Sequence, residues 1–303
     1  MLTSCWPEAK MLNSEFDIGV DIPELQEAYK NATEYKFKSR FSFLREVNGL
    51  RPNCISCLLG ITSAGKSTLL KAVIADIVQE HKALIWLTEE ERSQYSIQII
   101  NASTEKLDAD KRNNMIFFQE GKRMEELKKI RRPQDASAYI IDKIILSGCD
   151  AVVFDNMTTS SLYDKFTPQG QAEIAQDLRA FIESSGKSFL YLAHTQKGIN
   201  KSVNRLLGSE DIQGSSMLAK VSQYFFVLQT FDIGNSRHSY ITTTKHRQHA
   251  EVKHTYFMLK FEHGRYSGDI ICDFEQIANS FAARNRFKES SNWKQNENNK
   301  RRF

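Results

Sequence analysis

The run GITSAGKST, Gly60 to Thr68, constrains this chain more than any other stretch. It meets the spacing G-x-x-x-x-G-K-[ST] through Gly60, Gly65, Lys66 and Ser67. Without a Cβ at Gly60 and Gly65, the backbone can turn tightly and bring its N–H groups onto phosphate oxygens. The cradle so read runs from Gly60 through Ser63, Ala64 and Gly65 to Thr68. A helix starting near Gly65 points its positive end at the same anion. Lys66 then reaches the β- and γ-phosphates of ATP, and the Ser67 hydroxyl is a Mg²⁺ ligand. The flanks suit this. CISCLLG, Cys54–Gly60, is an apolar run of strand length, and Leu69, Leu70, Val73, Ile74, Ile77 and Val78 follow at helical spacing.

Beyond the loop the pattern alternates. ALIWLT (83–88), MIFFQ (115–119), AVVFD (151–155) and SFLYLA (188–193) read as strands. Residues 136–148, with Ile140, Ile141, Ile144 and Ile145 on one face, read as a helix, as does 171–186, with Gly186 in the C′ position. Such alternation predicts an α/β fold with a mainly parallel central sheet covered on both faces. The last third, QYFFVLQTF, RHSYITTTKH and KHTYFMLKFE, predicts antiparallel strands at one edge, joined by turns at Gly234 and around His249. Residues 1–41 form a separate N-terminal segment, in which Asp21–Phe37 reads as an amphipathic helix able to dock on a neighbouring subunit. The main domain is expected over 42–280.

Composition sharpens the ends. The 303 residues carry a net charge of +4, but residues 281–303 alone hold seven basic against two acidic side chains. The globular part is therefore nearly neutral, and the tail is read as a disordered basic segment suited to nucleic acid or a partner. No apolar run approaches the ~20 residues of a membrane span, and no signal-peptide core stands at the N-terminus, so the cytoplasm is expected. Cys54 and Cys57 form a C-x-x-C inside a predicted strand, with no second pair to complete a zinc site, so both read as small buried residues.

Four further groups carry chemistry. Asp155 ends an apolar strand and would lie beside Ser67, holding the Mg²⁺ water shell. Glu89 and Glu90 follow another strand, and either could polarise water for attack on a γ-phosphate. His194 and Gln196 end a third strand, where a sensor of nucleotide state belongs. Lys245 and Arg247 share one side of a strand and could neutralise transition-state charge on a neighbouring subunit's nucleotide.

This ordered set resembles the RecA-type ATPase superfamily, and within it the DnaB/RepA hexameric replicative helicases, with KaiC-like ATPases as neighbours. The third motif often reads His-His-Thr-x-Lys in RepA-type helicases; here it is Ala193-His194-Thr195-Gln196-Lys197. Asp211–Leu228 is similar to the Gly-Ser segment of that family, with Val221-Ser222 where an Ala-Asp pair is usual. The resemblance spans about residues 42–262 and implies a RecA-like three-layer αβα fold and a ring, hexameric in those helicases, with ATP between subunits and Lys245 and Arg247 acting from the next one. It also implies single-stranded DNA contacts from two loops, one with Lys165 and one with Lys197, Lys201 and Arg205, and a tail that meets replication proteins. Two rival readings keep the ATPase but not the motor: a KaiC-like regulator, and a helicase loader or recombination mediator that uses ATP as a switch.

Overall fold

The computed structural model describes residues 37–45, 49–196, 206–233, 236–246 and 256–273, with 275, 277 and 279. The N-terminal helix, the turns at Gly234 and His249, most of the tail-ward chain beyond 273, and Lys197, Lys201, Arg205 and Arg247 lie outside them. The strands are β1 (Cys54–Gly60), β2 (Ala83–Leu87), β3 (Met115–Gln119), β4 (Ala151–Asp155), β5 (Ser188–His194), β6 (Tyr224–Ile233), β7 (Ser236–His246), β8 (Tyr256–Glu262) and β9 (Arg265–Cys272). The principal helices are α1 (Lys66–Ile77), α2 (Arg92–Ala102), α3 (Pro133–Ser147), α4 (Pro168–Ser184) and the short α5 (Met217–Val221).

Among the described residues, nine strands form one sheet in the order β3-β2-β4-β5-β1-β6-β7-β8-β9. The strands from β3 to β6 pair in parallel and the rest antiparallel. Alternation along each strand splits the core in two. Cys54 and Leu58 of β1, with Ile85, Val153 and Leu192, pack on α1 and α2. Ile55, Cys57 and Leu59, with Trp86, Phe154 and Tyr191, pack on α3, α4 and α5. The result is a three-layer α/β fold whose parallel strands are apolar on both faces, as a doubly covered sheet requires. Cys54 and Cys57 fall on opposite faces and cannot share a bond or a metal. Burial raises both thiols above their ordinary range, as expected of inert core residues.

Local signals explain the edges of the elements. Pro133 and Pro168 start α3 and α4, where a missing N–H costs nothing. Gly148 and Gly186, at φ 60° and 68°, end them in the left-handed region. Trp86 stacks on Phe118 at 4.0 Å and on Phe154 at 4.9 Å, its direct neighbours on β3 and β4, which fixes the register of that half of the sheet.

Three expectations need correction. β6, read as antiparallel, pairs parallel with β1 and closes the parallel block; only β7 to β9 are antiparallel additions. A fourth strand in this region, β9, follows a turn at His263 and Gly264, both at positive φ. The core also begins before residue 42. Phe37 and Phe41 are buried in it, and Asp76 of α1 accepts from the Arg40 backbone and guanidinium at 2.8 Å. Asp269 of β9 accepts from the backbones of Ser42 and Phe43.

Candidate nucleotide-binding site

Strand register brings the expected groups to one edge. Gly60 pairs with both His194 and Leu228, and Leu87 with both Asp155 and Gln119, so the carboxyl ends of the parallel strands finish level. β1 delivers the loop, β2 delivers Glu89 and Glu90 just past its end, β4 ends on Asp155 and β5 on His194. Together with Thr62 and Asn156 they line a cavity of about 270 Å³.

The loop has the shape an anion needs. Ser63 at φ 66° and Gly65 at φ 94° put the loop through left-handed turns, the kind of backbone that can present N–H groups to an anion. A Cβ at Gly65 would come within 2.7 Å of the Tyr266 hydroxyl, and one at Gly60 within 2.7 Å of the Leu228 carbonyl. Lys66 folds over this loop, donating to the Gly60 and Ile61 carbonyls at 2.8 and 2.9 Å. Its ammonium also stands 3.3 Å from His194 Nδ1. Burial lowers Lys66 to about 8, against the pull of Asp155 and Glu89. Burial, aided by the Lys66 charge, lowers His194 to about 4, so at neutral pH the ring is uncharged and its Nδ1 can accept from the ammonium.

The depressed Lys66 sets a pH dependence. Its pKa is about 8 in the folded state against an ordinary 10.5, so the folded chain binds fewer protons between those values and gains stability as pH rises through them. Nucleotide affinity runs the other way, because a phosphate needs the ammonium. Above pH 8, ATP affinity is expected to fall about tenfold per unit until the higher pKa of the complex is reached. Calorimetric titration from about pH 7 to about pH 9.5 reads this; a flat affinity over that range would remove Lys66 from the phosphate site.

Asp155 and Ser67 suit a magnesium ion. Asp155 Oδ1 lies 3.5 Å from Ser67 Oγ, and Oδ2 accepts from the Tyr95 hydroxyl at 2.8 Å. Burial raises the carboxyl to about 6; nearby Glu90 adds to this, and Tyr95, Lys71 and Ser67 oppose it. A buried carboxylate with one oxygen turned to a hydroxyl at a helix N-terminus is a hard-oxygen set that Mg²⁺ prefers, and the cation would offset the burial cost. Ser67 would be the direct ligand and Asp155 would hold its water.

Geometry separates the two glutamates. Lys71 donates to both carboxylate oxygens of Glu90 at 2.8 Å, donates to Gln98, and lies 4.2 Å over the Tyr95 ring. Glu90 is thereby held as the partner of a buried cation. Glu89 stands exposed at the cavity rim, and among the described residues no hydrogen bond engages its carboxylate, while its charge acts on Lys66 and His194. Among the described residues, Glu89 is thus the one of the two without an ion-pair partner.

The sensor pair divides likewise. His194 lines the cavity, its backbone N–H donating to Thr158 Oγ1 at 3.0 Å. The Gln196 side chain instead donates to the Glu210 carbonyl at 3.1 Å, where residues 210–213 return to pair with the end of β5. Lys245 lies at the opposite edge of the sheet from its own loop, opposite Phe225 on β6, and its ammonium donates to the Ala219 and Lys220 carbonyls at 2.7 and 2.9 Å. Lys165 is away from the cavity, donating to the Leu127 carbonyl at 2.9 Å.

No family model and no curated protein matches the chain.

Sequence reasoning missed Lys71, Tyr95, Asn156 and the contacts by which the strands behind the loop hold it. Thr230 on β6 donates to the Ala64 carbonyl at 2.8 Å and lies 2.9 Å from Ser239 Oγ on β7, itself 3.4 Å from the Tyr266 hydroxyl on β9. β6, backed by β7 and β9, therefore braces the cradle from outside. Thr230→Val keeps the shape and removes the donor. About fivefold weaker ATP binding is expected, with kcat near wild type at saturation. An unchanged KM would show that the loop holds its shape without this brace.

Proposed function

We propose that the chain is an ATP-hydrolysing, ring-forming motor on single-stranded DNA, a replicative helicase of the DnaB/RepA type with a RecA-like core, working in the cytoplasm. The observation that carries this reading is the single cavity where Lys66, Ser67, Asp155, Glu89 and His194 converge at the carboxyl edge of the parallel sheet. Lys66 and a Mg²⁺ ion on Ser67 hold the phosphates, Glu89 activates water, and His194 reports the γ-phosphate through its contact with Lys66. An adjoining cleft of about 700 Å³, sharing Ser67, Thr68 and Glu90 and walled by Gln98, Asn101 and Arg265, offers room for ribose and base. Lys245, at the edge away from its own cradle, together with Arg247 would serve the nucleotide of the next subunit. Steady-state ATP hydrolysis with and without single-stranded DNA tests the reading: DNA should stimulate turnover, and a rate indifferent to DNA would reject the motor.

The hold of α5 on the Lys245 ammonium favours a second reading, a regulatory or loader ATPase whose cationic pair does not reach a neighbour. That protein would hydrolyse ATP at the same rate per chain at any dilution.

A further inference from the structure

Asp155 divides its two carboxylate oxygens between different partners. Oδ1 faces Ser67 Oγ at 3.5 Å, on the side of the anion cradle. Oδ2 accepts from the Tyr95 hydroxyl at 2.8 Å, and among the described residues no other hydrogen bond reaches that oxygen. A carboxylate turns readily about its last torsion, whose energy is broad and two-fold. A phenol donating to an ionised oxygen makes a strong hydrogen bond and removes that freedom. The carboxylate is thereby held with one chosen oxygen toward Ser67.

The ring that carries this hydroxyl is itself fixed. Tyr95, Ile99 and Ala102 form the buried stripe of α2, and Tyr95 is fully enclosed. The Lys71 ammonium lies 4.2 Å from the ring centre and is tied in turn to both oxygens of Glu90. α2 opens on Glu91, whose side chain caps it by accepting from the Ser93 N–H at 3.0 Å. That cap follows directly on Glu89 and Glu90, so one short stretch carries the proposed base and the group that holds the metal carboxylate. Burial, and then the Asp155 charge, raise the phenol well above its ordinary range, so it remains a donor at neutral pH. Packing alone would be met by a phenylalanine; a hydroxyl buried against a carboxylate has a purpose beyond filling space.

We infer that Tyr95 is a positioning residue for the magnesium site, acting through Asp155: its hydroxyl turns Oδ1 toward the water shell of a Mg²⁺ ion on Ser67 and keeps Oδ2 out of it. The inference rests on the nucleotide site proposed above. Outer partners of this kind tune metal affinity by about 10–100-fold.

Calorimetric titration of the full chain with ATP, in EDTA and across a series of free Mg²⁺ concentrations, tests this. In wild type, Mg²⁺ should tighten ATP binding. Tyr95→Phe keeps the ring and its Lys71 contact. It should raise the Mg²⁺ concentration for half-maximal tightening about tenfold and leave metal-free ATP affinity unchanged. Its turnover should return toward wild type at saturating Mg²⁺, a loss of apparent metal affinity and not of kcat. Ile99→Val, in the same buried stripe, should lower the melting temperature and leave the Mg²⁺ dependence alone. An unshifted Mg²⁺ dependence in Tyr95→Phe would overturn the inference. So would ATP binding weakened by one factor with and without Mg²⁺, or an equal shift in Ile99→Val, since each would make Tyr95 a packing residue. Should Tyr95→Phe fail to fold by its melting curve, ¹⁹F NMR of the wild-type chain built with 3-fluorotyrosine takes its place. A buried tyrosine resonance should move when Mg²⁺ is added to the ADP complex; a spectrum left unchanged, where Mg²⁺ still tightens ATP binding, would equally overturn the role. Wild-type protein that binds no ATP, or binds it indifferently to Mg²⁺, would instead reject the nucleotide site on which the inference rests.

Discussion

Lys66→Ala is expected to lower ATP turnover by about 10³-fold or more, the largest effect of any single change in this chain. The ammonium is the cation nearest the anion cradle, and it is only 5% exposed. Among the described residues no carboxylate lies within hydrogen-bonding distance of it; it leans on two loop carbonyls and a neutral histidine. Such a charge is costly to bury, and its pKa is pushed down accordingly. Stability should therefore move against activity. Lys66→Met, which keeps the stem and drops the charge, should melt at or above the wild-type temperature while hydrolysis is lost. Parallel loss of both would mean that Lys66 holds the loop together and does not serve a phosphate.

Glu89→Gln and Glu90→Gln should differ in kind. A general base contributes about 10²–10⁴-fold, so Glu89→Gln should lose that much turnover with ATP still bound near wild-type affinity. Glu90→Gln leaves the buried Lys71 with half its partner. Its main effect should be on stability, about 1–3 kcal/mol, with turnover reduced far less. Denaturant melts and single-turnover rates on both variants separate the outcomes. Equal turnover loss in the two would contradict the roles assigned from the Lys71 pair.

Much of this site could be read along the chain. The loop, Asp155 and His194 are each attached to an apolar strand by a few residues, and local spacing alone carries that information. β1, β3 and β4 have the bounds expected of them, and Gly186 the expected left-handed turn, because glycine placement and apolar alternation are local signals. The choice between Glu89 and Glu90 was not legible, since it depends on Lys71 and Gln98 meeting across two helices. Nor was the parallel pairing of β6: its composition suits either direction, and only the crossover through α5 decides it. β9 escaped notice although His263-Gly264 is a tight-turn signal, because Ser267 and Gly268 dilute its pattern.

The most direct test is a cryo-EM structure of the full chain with Mg²⁺, single-stranded DNA and a slowly hydrolysed ATP analogue. The triphosphate should lie in the loop from Gly60 to Thr68, with Lys66 turned from the Gly60 carbonyl to the phosphates, Mg²⁺ between Ser67 and the side of Asp155, and a second copy of the chain closing the seam. A triphosphate bound elsewhere, or Lys66 still seated on its own loop beside a bound nucleotide, would contradict the account.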